Sequence, residues 1–398
     1  MNSRDRLELA LSHKEADRIP VDLGGTVLTG ISLVSYRKLR AYLDLPARDV
    51  RVADVVQQIA VVDDDVRSLF DVDVRDVAPR SSASFNVGIR DDMPGYTYFY
   101  DEWGIGWKMP KTGGFYYDMF HHPLAGEITT ADIDRHPWPD PEDPGRFEGL
   151  RERARYAAEV QGQGVVIGGL CAGIMEMAAW LRGYEDYYMD FAANPKLLAY
   201  LFDKMVELKM AYWEKALAEG GSYVSAVVEA DDMAGQEGML ISLRAYRSLA
   251  KPRHKRLFEF IKARTKAKVF FHSCGAVRTV IPDLIDAGID VLNPVQVSAA
   301  GMDSADLKHE FGRDLTFWGG AVDPQNVLGT GTPEAVRLDA RRHIEDLAPG
   351  GGFVFAPVHN IQSNVPPENV AAMWQAFREC GGYTGPTAVQ EPARAEHE

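Results

Sequence analysis

The chain has 398 residues, 46% hydrophobic and 25% charged, a composition ordinary for a soluble globular protein with a large core. Its 43 lysines and arginines against 58 aspartates and glutamates give a net charge of −15, which argues against a nucleic-acid backbone or an anionic membrane surface as partner. Cys171, Cys274 and Cys380 are too few and scattered for a disulfide framework, the N-terminus carries acids where a signal peptide needs an apolar run, and no apolar stretch is long enough to span a bilayer. A cytoplasmic location is expected.

In chain order, residues 3–13 carry a helical apolar pattern and 18–23 read as a short strand ending at Gly24-Gly25. Helices are expected over 32–43 and 52–70, and a second strand over 71–77. From 84 to 124, alternating aromatics (Tyr96, Tyr98, Tyr100, Trp103, Trp107, Tyr116) separated by Gly and Pro predict β-hairpins or an irregular insertion. Pro137, Pro139, Pro141 and Pro144 mark a connector. Beyond it, strands over 165–169, 223–229, 268–272, 289–293, 315–320 and 353–356 alternate with helices over 148–160, 173–182, 195–219, 243–265, 277–287, 303–311, 333–347 and 367–380. Residues 384–398 are small and polar and are expected to be a disordered tail.

Eight apolar strands alternating with helices predict an α/β fold with a parallel sheet covered on both faces. A (β/α)8 TIM barrel fits eight units better than an open sheet, because no G-x-G-x-x-G phosphate fingerprint follows a strand. The expected organisation is one domain over 1–383, with an N-terminal helical extension and a β-rich insertion at 84–145.

In such a barrel the chemistry gathers just after each strand. After the fourth come Glu229, Asp231 and Asp232, and after the fifth His272 and Cys274. Asn293 and Gln296 follow the sixth, Asp323, Gln325 and Asn326 the seventh, and His359, Asn360 and Gln362 the eighth. His272 and Cys274 alternate on a strand end and so reach a common atom, and His359 lies on the same rim. One thiol and two imidazoles with one open position form a ligand set for catalytic zinc. The carboxylates Glu229, Asp231 and Asp232 are candidates for proton transfer, and Asn293, Gln296, Asn360 and Gln362 for substrate binding. His254, within Lys251-Pro252-Arg253-His254-Lys255-Arg256, reads as part of a solvated basic face. Cys171 and Cys380 read as structural.

The segments Phe271-His272-Ser273-Cys274-Gly275, Asp231-Asp232-Met233, Asn293-Pro294-Val295-Gln296, Phe317-Trp318-Gly319-Gly320, Ala356-Pro357-Val358-His359-Asn360 and Pro366-Pro367-Glu368-Asn369 resemble the uroporphyrinogen decarboxylase superfamily. The resemblance covers nearly the whole chain and implies a (β/α)8 barrel. Tetrapyrrole decarboxylases of that superfamily carry an arginine-bearing R-Q-A-G-R stretch after the first strand. Here the first strand is followed by Gly24-Gly25-Thr26-Val27-Leu28-Thr29-Gly30, without arginine. The corrinoid-dependent methyltransferase branch holds zinc by H-x-C and a later cysteine, and this chain has His359 where that cysteine is expected. The resemblance implies zinc-dependent methyl transfer between a small methylated, and by the ligand charge methoxylated, substrate and a corrinoid. With no D-x-H-x-x-G motif in the chain, a separate corrinoid protein is the expected partner, and the oligomeric state is left open. Two other readings stand beside it. One is a metal-independent decarboxylase or lyase using the acidic cluster, against which counts a shortage of cations at the strand ends. The other is a barrel that binds a small ligand without turnover.

Overall fold

The computed structural model describes residues 1–383, so the expected tail lies outside the described residues. Seven strands pair in parallel in chain order: β1 (Val74–Asp76), β2 (Gly164–Gly168), β3 (Ala226–Ala230), β4 (Lys268–His272), β5 (Val291–Asn293), β6 (Thr316–Trp318) and β7 (Phe353–Val354). The first expected strand is reduced to the segment 20–22, which joins the two edges. Phe355 N donates to Pro20 O at 2.9 Å, Asp22 N to Phe355 O at 2.9 Å, and Asp73 N to Val21 O at 2.8 Å. These bonds close the curled sheet into an eight-membered barrel.

The strands read as continuous apolar runs because both of their faces are covered. Val74, Val166, Val228, Phe270, Trp318 and Val354 fill the barrel interior. The alternate residues Val165, Val227, Val269, Phe271, Phe317 and Phe353 pack outward among the helices. Leu7 and Leu11, from the helix Ser3–Ala10 and its end, join the interior cluster. A Cβ on Gly164, at the start of β2, would lie 2.3 Å from Leu7 Cδ2, so the glycine is what lets this helix seat against the N-terminal end of the strands. Only the C-terminal mouth is left for chemistry.

Two expectations shift and one is met. Residues 52–70 are not one helix: Val52–Asp54 pairs antiparallel with Ile59–Ala60, and a helix begins only at Asp64. Gln58, at φ 54°, makes the turn between the two strands, and the β-branched Val52, Val61 and Val62 suit extended backbone. The insertion forms a three-stranded antiparallel sheet of Tyr96–Tyr100, Gly106–Pro110 and Asp118–His121. A helix absent from the sequence reading, Tyr184–Ala193, follows Ile174–Arg182 after the positive-φ Gly183. Among the described residues, no helix is long and apolar enough to cross a membrane.

The closing segment is held by a buried carboxylate. Asp73 accepts from Arg6 Nη1 at 2.6 Å, Arg18 Nη1 at 2.7 Å and Val21 N at 2.8 Å. Removing it leaves the buried Arg6 guanidinium undercompensated and the first segment unpinned. Asp73→Ala is therefore expected to lower stability by about 3–5 kcal/mol, read from the urea midpoint. An unchanged midpoint would show that the closure does not depend on this carboxylate.

Candidate metal centre

The sequence places His272 at the end of β4 and Cys274 two residues on, while His359 follows the last strand. The fold brings ligand atoms of all three within 4.8 Å of one another. Cys274 Sγ lies 3.4 Å from His272 Nε2, and the two imidazole rings are 5.7 Å apart. Zinc bond lengths of about 2.3 Å to sulfur and 2.0–2.1 Å to nitrogen put a sulfur and a nitrogen sharing a tetrahedral ion roughly 3.5–3.6 Å apart, and two nitrogens about 3.3–3.4 Å. The residues present fit the group.

The imidazoles are aimed by amides. His272 Nδ1 is 2.5 Å from Asn293 Oδ1, and Asn293 Nδ2 donates to Trp318 O at 2.7 Å. Because the amide nitrogen is committed to a carbonyl, its oxygen must face the ring; His272 then carries its proton on Nδ1 and offers a lone pair at Nε2. His359 repeats the device. Its Nδ1 is 2.8 Å from Asn360 Oδ1, whose Nδ2 donates to Gln57 Oε1 at 2.7 Å. Gln362 also donates to Asn360, and Gln296 Oε1 accepts from Gly275 N at 2.7 Å, fixing the loop after Cys274. The four amides expected as substrate contacts are thus hydrogen-bonded around the candidate ligands and their loops, as the outer layer of a metal site would be.

Burial and the neighbouring His272 push His359 down to about 4, so its imidazole is neutral near pH 7. Burial, with Asp232 and Glu176 nearby, holds the Cys274 thiol well above its usual value. A bare thiolate is disfavoured there, and a bound divalent cation would stabilise it.

The three candidate carboxylates separate. Glu229 shares the outward face of Val227 and is tied to Lys209 Nζ at 2.8 Å and Trp213 Nε1 at 2.6 Å, away from the mouth. Asp231, with no exposed surface, accepts from Ile174 N at 3.1 Å, Glu176 N at 2.7 Å and His254 Nε2 at 2.6 Å. It fastens the N-terminus of the helix Ile174–Arg182. His254 is accordingly not solvated: it is buried, with Nδ1 3.1 Å from Tyr246 Oη. Asp232 alone stays with the triad. It accepts from Cys274 N at 2.8 Å and lies 3.9 Å from His272 Nε2.

Asp232 also borders a cavity of about 280 Å³ whose walls include Glu176, Tyr184, Tyr187, Tyr188 and Ile241. Burial and the charges of Asp232 and Asp231 raise the Glu176 carboxyl well above the usual range. Sequence reasoning missed Glu176, although a lone acid in Ile174-Met175-Glu176-Met177-Ala178 was a signal. It also missed Asp76, at the end of β1 on the inward face of Val74, which burial pushes up to about 7.

Fold and site together define a (β/α)8 barrel with a candidate metal centre on its C-terminal rim and a small cavity beside it. The chain belongs to the uroporphyrinogen decarboxylase family: the model described as uroporphyrinogen decarboxylase (URO-D) matches residues 116–380. It is 25% identical to the uroporphyrinogen decarboxylase of Alkalilimnicola ehrlichii over 70% of this chain and 73% of that protein. It is likewise 25% identical to the methylcobamide:CoM methyltransferases MtbA of Methanosarcina mazei and MtaA of Methanosarcina barkeri. Those matches cover 56% and 59% of this chain, and 63% and 64% of the relatives, so the chain spans under two thirds of either methyltransferase. A solved methyltransferase from Methanosarcina mazei shares the fold over 95% of this chain and 99% of its own, with a TM-score of 0.64 at 18% identity.

Two outcomes test the centre. Zinc binding near pH 7 is expected to release a proton from Cys274, measurable by calorimetry in two buffers of different ionisation enthalpy; release of none would place the thiol outside the ligand set. Asn293→Ala is expected to weaken zinc about 10–100-fold with the fold intact, and unchanged affinity would remove Asn293 from the site.

Proposed function

We propose that the protein is a zinc-dependent methyltransferase. It moves a methyl group between a small methylated substrate in the cavity and a corrinoid carried by a separate protein. The observation that carries this reading is the triad of His272, Cys274 and His359, with both imidazoles pre-aimed by asparagines beside a cavity of substrate size. The relatives named methylcobamide:CoM methyltransferases support it.

Zinc supplies Lewis acidity toward the substrate heteroatom, and a reduced corrinoid supplies the nucleophile for the methyl group. The chain contributes position and charge. One thiolate and two neutral imidazoles leave a divalent ion with about one unit of positive charge by ligand counting, which suits an ether or phenolic oxygen and points to a methoxylated substrate. Asp232, between triad and cavity, is placed to hold or deliver the proton of the released oxygen. The tyrosines orient the substrate body, which holds the methyl group in line. A cavity of about 280 Å³ has no room for a corrin ring as well, so the mouth receives the carrier protein from outside.

Decarboxylation is the second reading, supported by the Alkalilimnicola relative and by the inward-facing Asp76. Against it, no arginine follows the first strand in Gly24–Gly30, and the residues lining the cavity include no lysine or arginine to hold a carboxylate.

Metal analysis of protein never exposed to chelators is expected to give about one zinc per chain. His359→Ala should lower zinc affinity by more than the roughly 10–100-fold typical of losing an outer partner. Methyl transfer from methoxylated aromatics to reduced cobalamin should vanish with the metal. Full transfer by zinc-free protein would overturn the reading.

A further inference from the structure

We propose that the cavity beside the triad selects a methoxylated substrate whose remote end is a cation, an ammonium held by Glu176 and the tyrosine wall. This names the substrate class within the function proposed above and rests on it.

The cavity is lined by two carboxyl side chains, Glu176 and Asp232, three phenols and apolar groups, with no lysine, arginine or histidine among them. Asp232 is occupied at the metal end by Cys274 N. Glu176 lies in the first turn of Ile174–Arg182, and among the described residues no side chain donates to its carboxylate or pairs with it. The cation that acts on it, Lys209, is already paired with Glu229 on the outer face of the sheet. Burial and the neighbouring Asp232 and Asp231 raise the Glu176 carboxyl well above its usual range, so its charged form lacks a compensating partner in this cavity. An ammonium supplies the missing positive charge.

The tyrosines lining the same cavity offer the second half of a cation site. Tyr184 and Tyr188, four residues apart on Tyr184–Ala193, stack with ring centres 6.3 Å apart and planes at 19°, and Tyr187 meets Tyr188 edge-on at 5.1 Å. Aromatic faces attract organic cations, more strongly where water is excluded. An organic anion meets the reverse: two acids, no lysine, arginine or histidine in the lining, and the field of a chain carrying −15 overall.

Three ligands of one shape separate the cases: para-methoxyphenethylamine, its neutral alcohol analogue, and para-methoxyphenylacetate. By calorimetry on the zinc-loaded protein near neutral pH, the amine is expected to bind at least about tenfold tighter than the alcohol, and the acetate most weakly. Glu176→Gln should bring the amine-to-alcohol ratio to about one, and Tyr188→Leu, at a half-exposed position, should lower the same ratio should the first variant fail to fold. Acetate binding as tightly as the amine, a ratio unmoved by both variants, or binding of none of the three overturns the proposal. Because the readout is affinity, it stands apart from the reaction. A protein that prefers the amine but transfers no methyl group keeps the cation site and loses the function. One that transfers methyl groups without the preference does the reverse.

Discussion

The site depends on two linked hydrogen bonds that span three strands. The parallel pairing of β4 and β5 sets Asn293 directly beside His272, and the next strand supplies the Trp318 carbonyl that holds the amide in orientation. Register therefore fixes the tautomer of the imidazole, and the tautomer fixes which nitrogen is free to bind. The turn after β6 is built around the same contact. Gly319 sits at φ +108°, and a Cβ there would come within 3.3 Å of Asn293 Nδ2. A side chain at 319 would be strained and would crowd the amide that aims the ligand.

Charge is distributed by the same logic. Acids lie on both sides of the barrel wall, and they are held differently. Outside, Glu229 is neutralised by Lys209, an ion pair whose side chains are almost fully buried. Pairs of this kind add little net stability but are costly to break, so this one pins the helix Pro195–Gly220 to β3. On the inner side, among the described residues, neither Glu176, in the cavity lining, nor Asp76, at the end of β1, has an ion-pair partner. Unpaired acids inside, with paired acids outside, separate candidates for chemistry from groups that hold the frame.

The barrel was legible because its strands are apolar on both faces and regularly spaced. The triad was legible because His272 and Cys274 alternate at a strand end and His359 follows the last strand. What stayed hidden was direction. Apolar strands hide which face is inward, so nothing marked Glu229 as pointing out and Asp76 as pointing in. His254 was recoverable: with Leu257, Phe258 and Ile261 it falls on one helical face, all buried, and the flanking basic residues masked that period. The amides could not be ranked, because an asparagine that touches substrate and one that touches a ligand's far nitrogen are the same residue in a sequence. The helix Tyr184–Ala193 lacks a capping side chain at Gly183, and its start escaped notice for that reason.

Asp231 and Asp232 are consecutive residues serving two sides of one wall. The first grips the helix that carries Glu176, an approach that only glycine permits at 173, where a Cβ would fall 1.7 Å from Ala230 O. The second grips the loop that carries Cys274. A single peptide unit thus sets the span between the candidate metal ligands and the acid in the cavity, and the scaffold works as a fixed gauge.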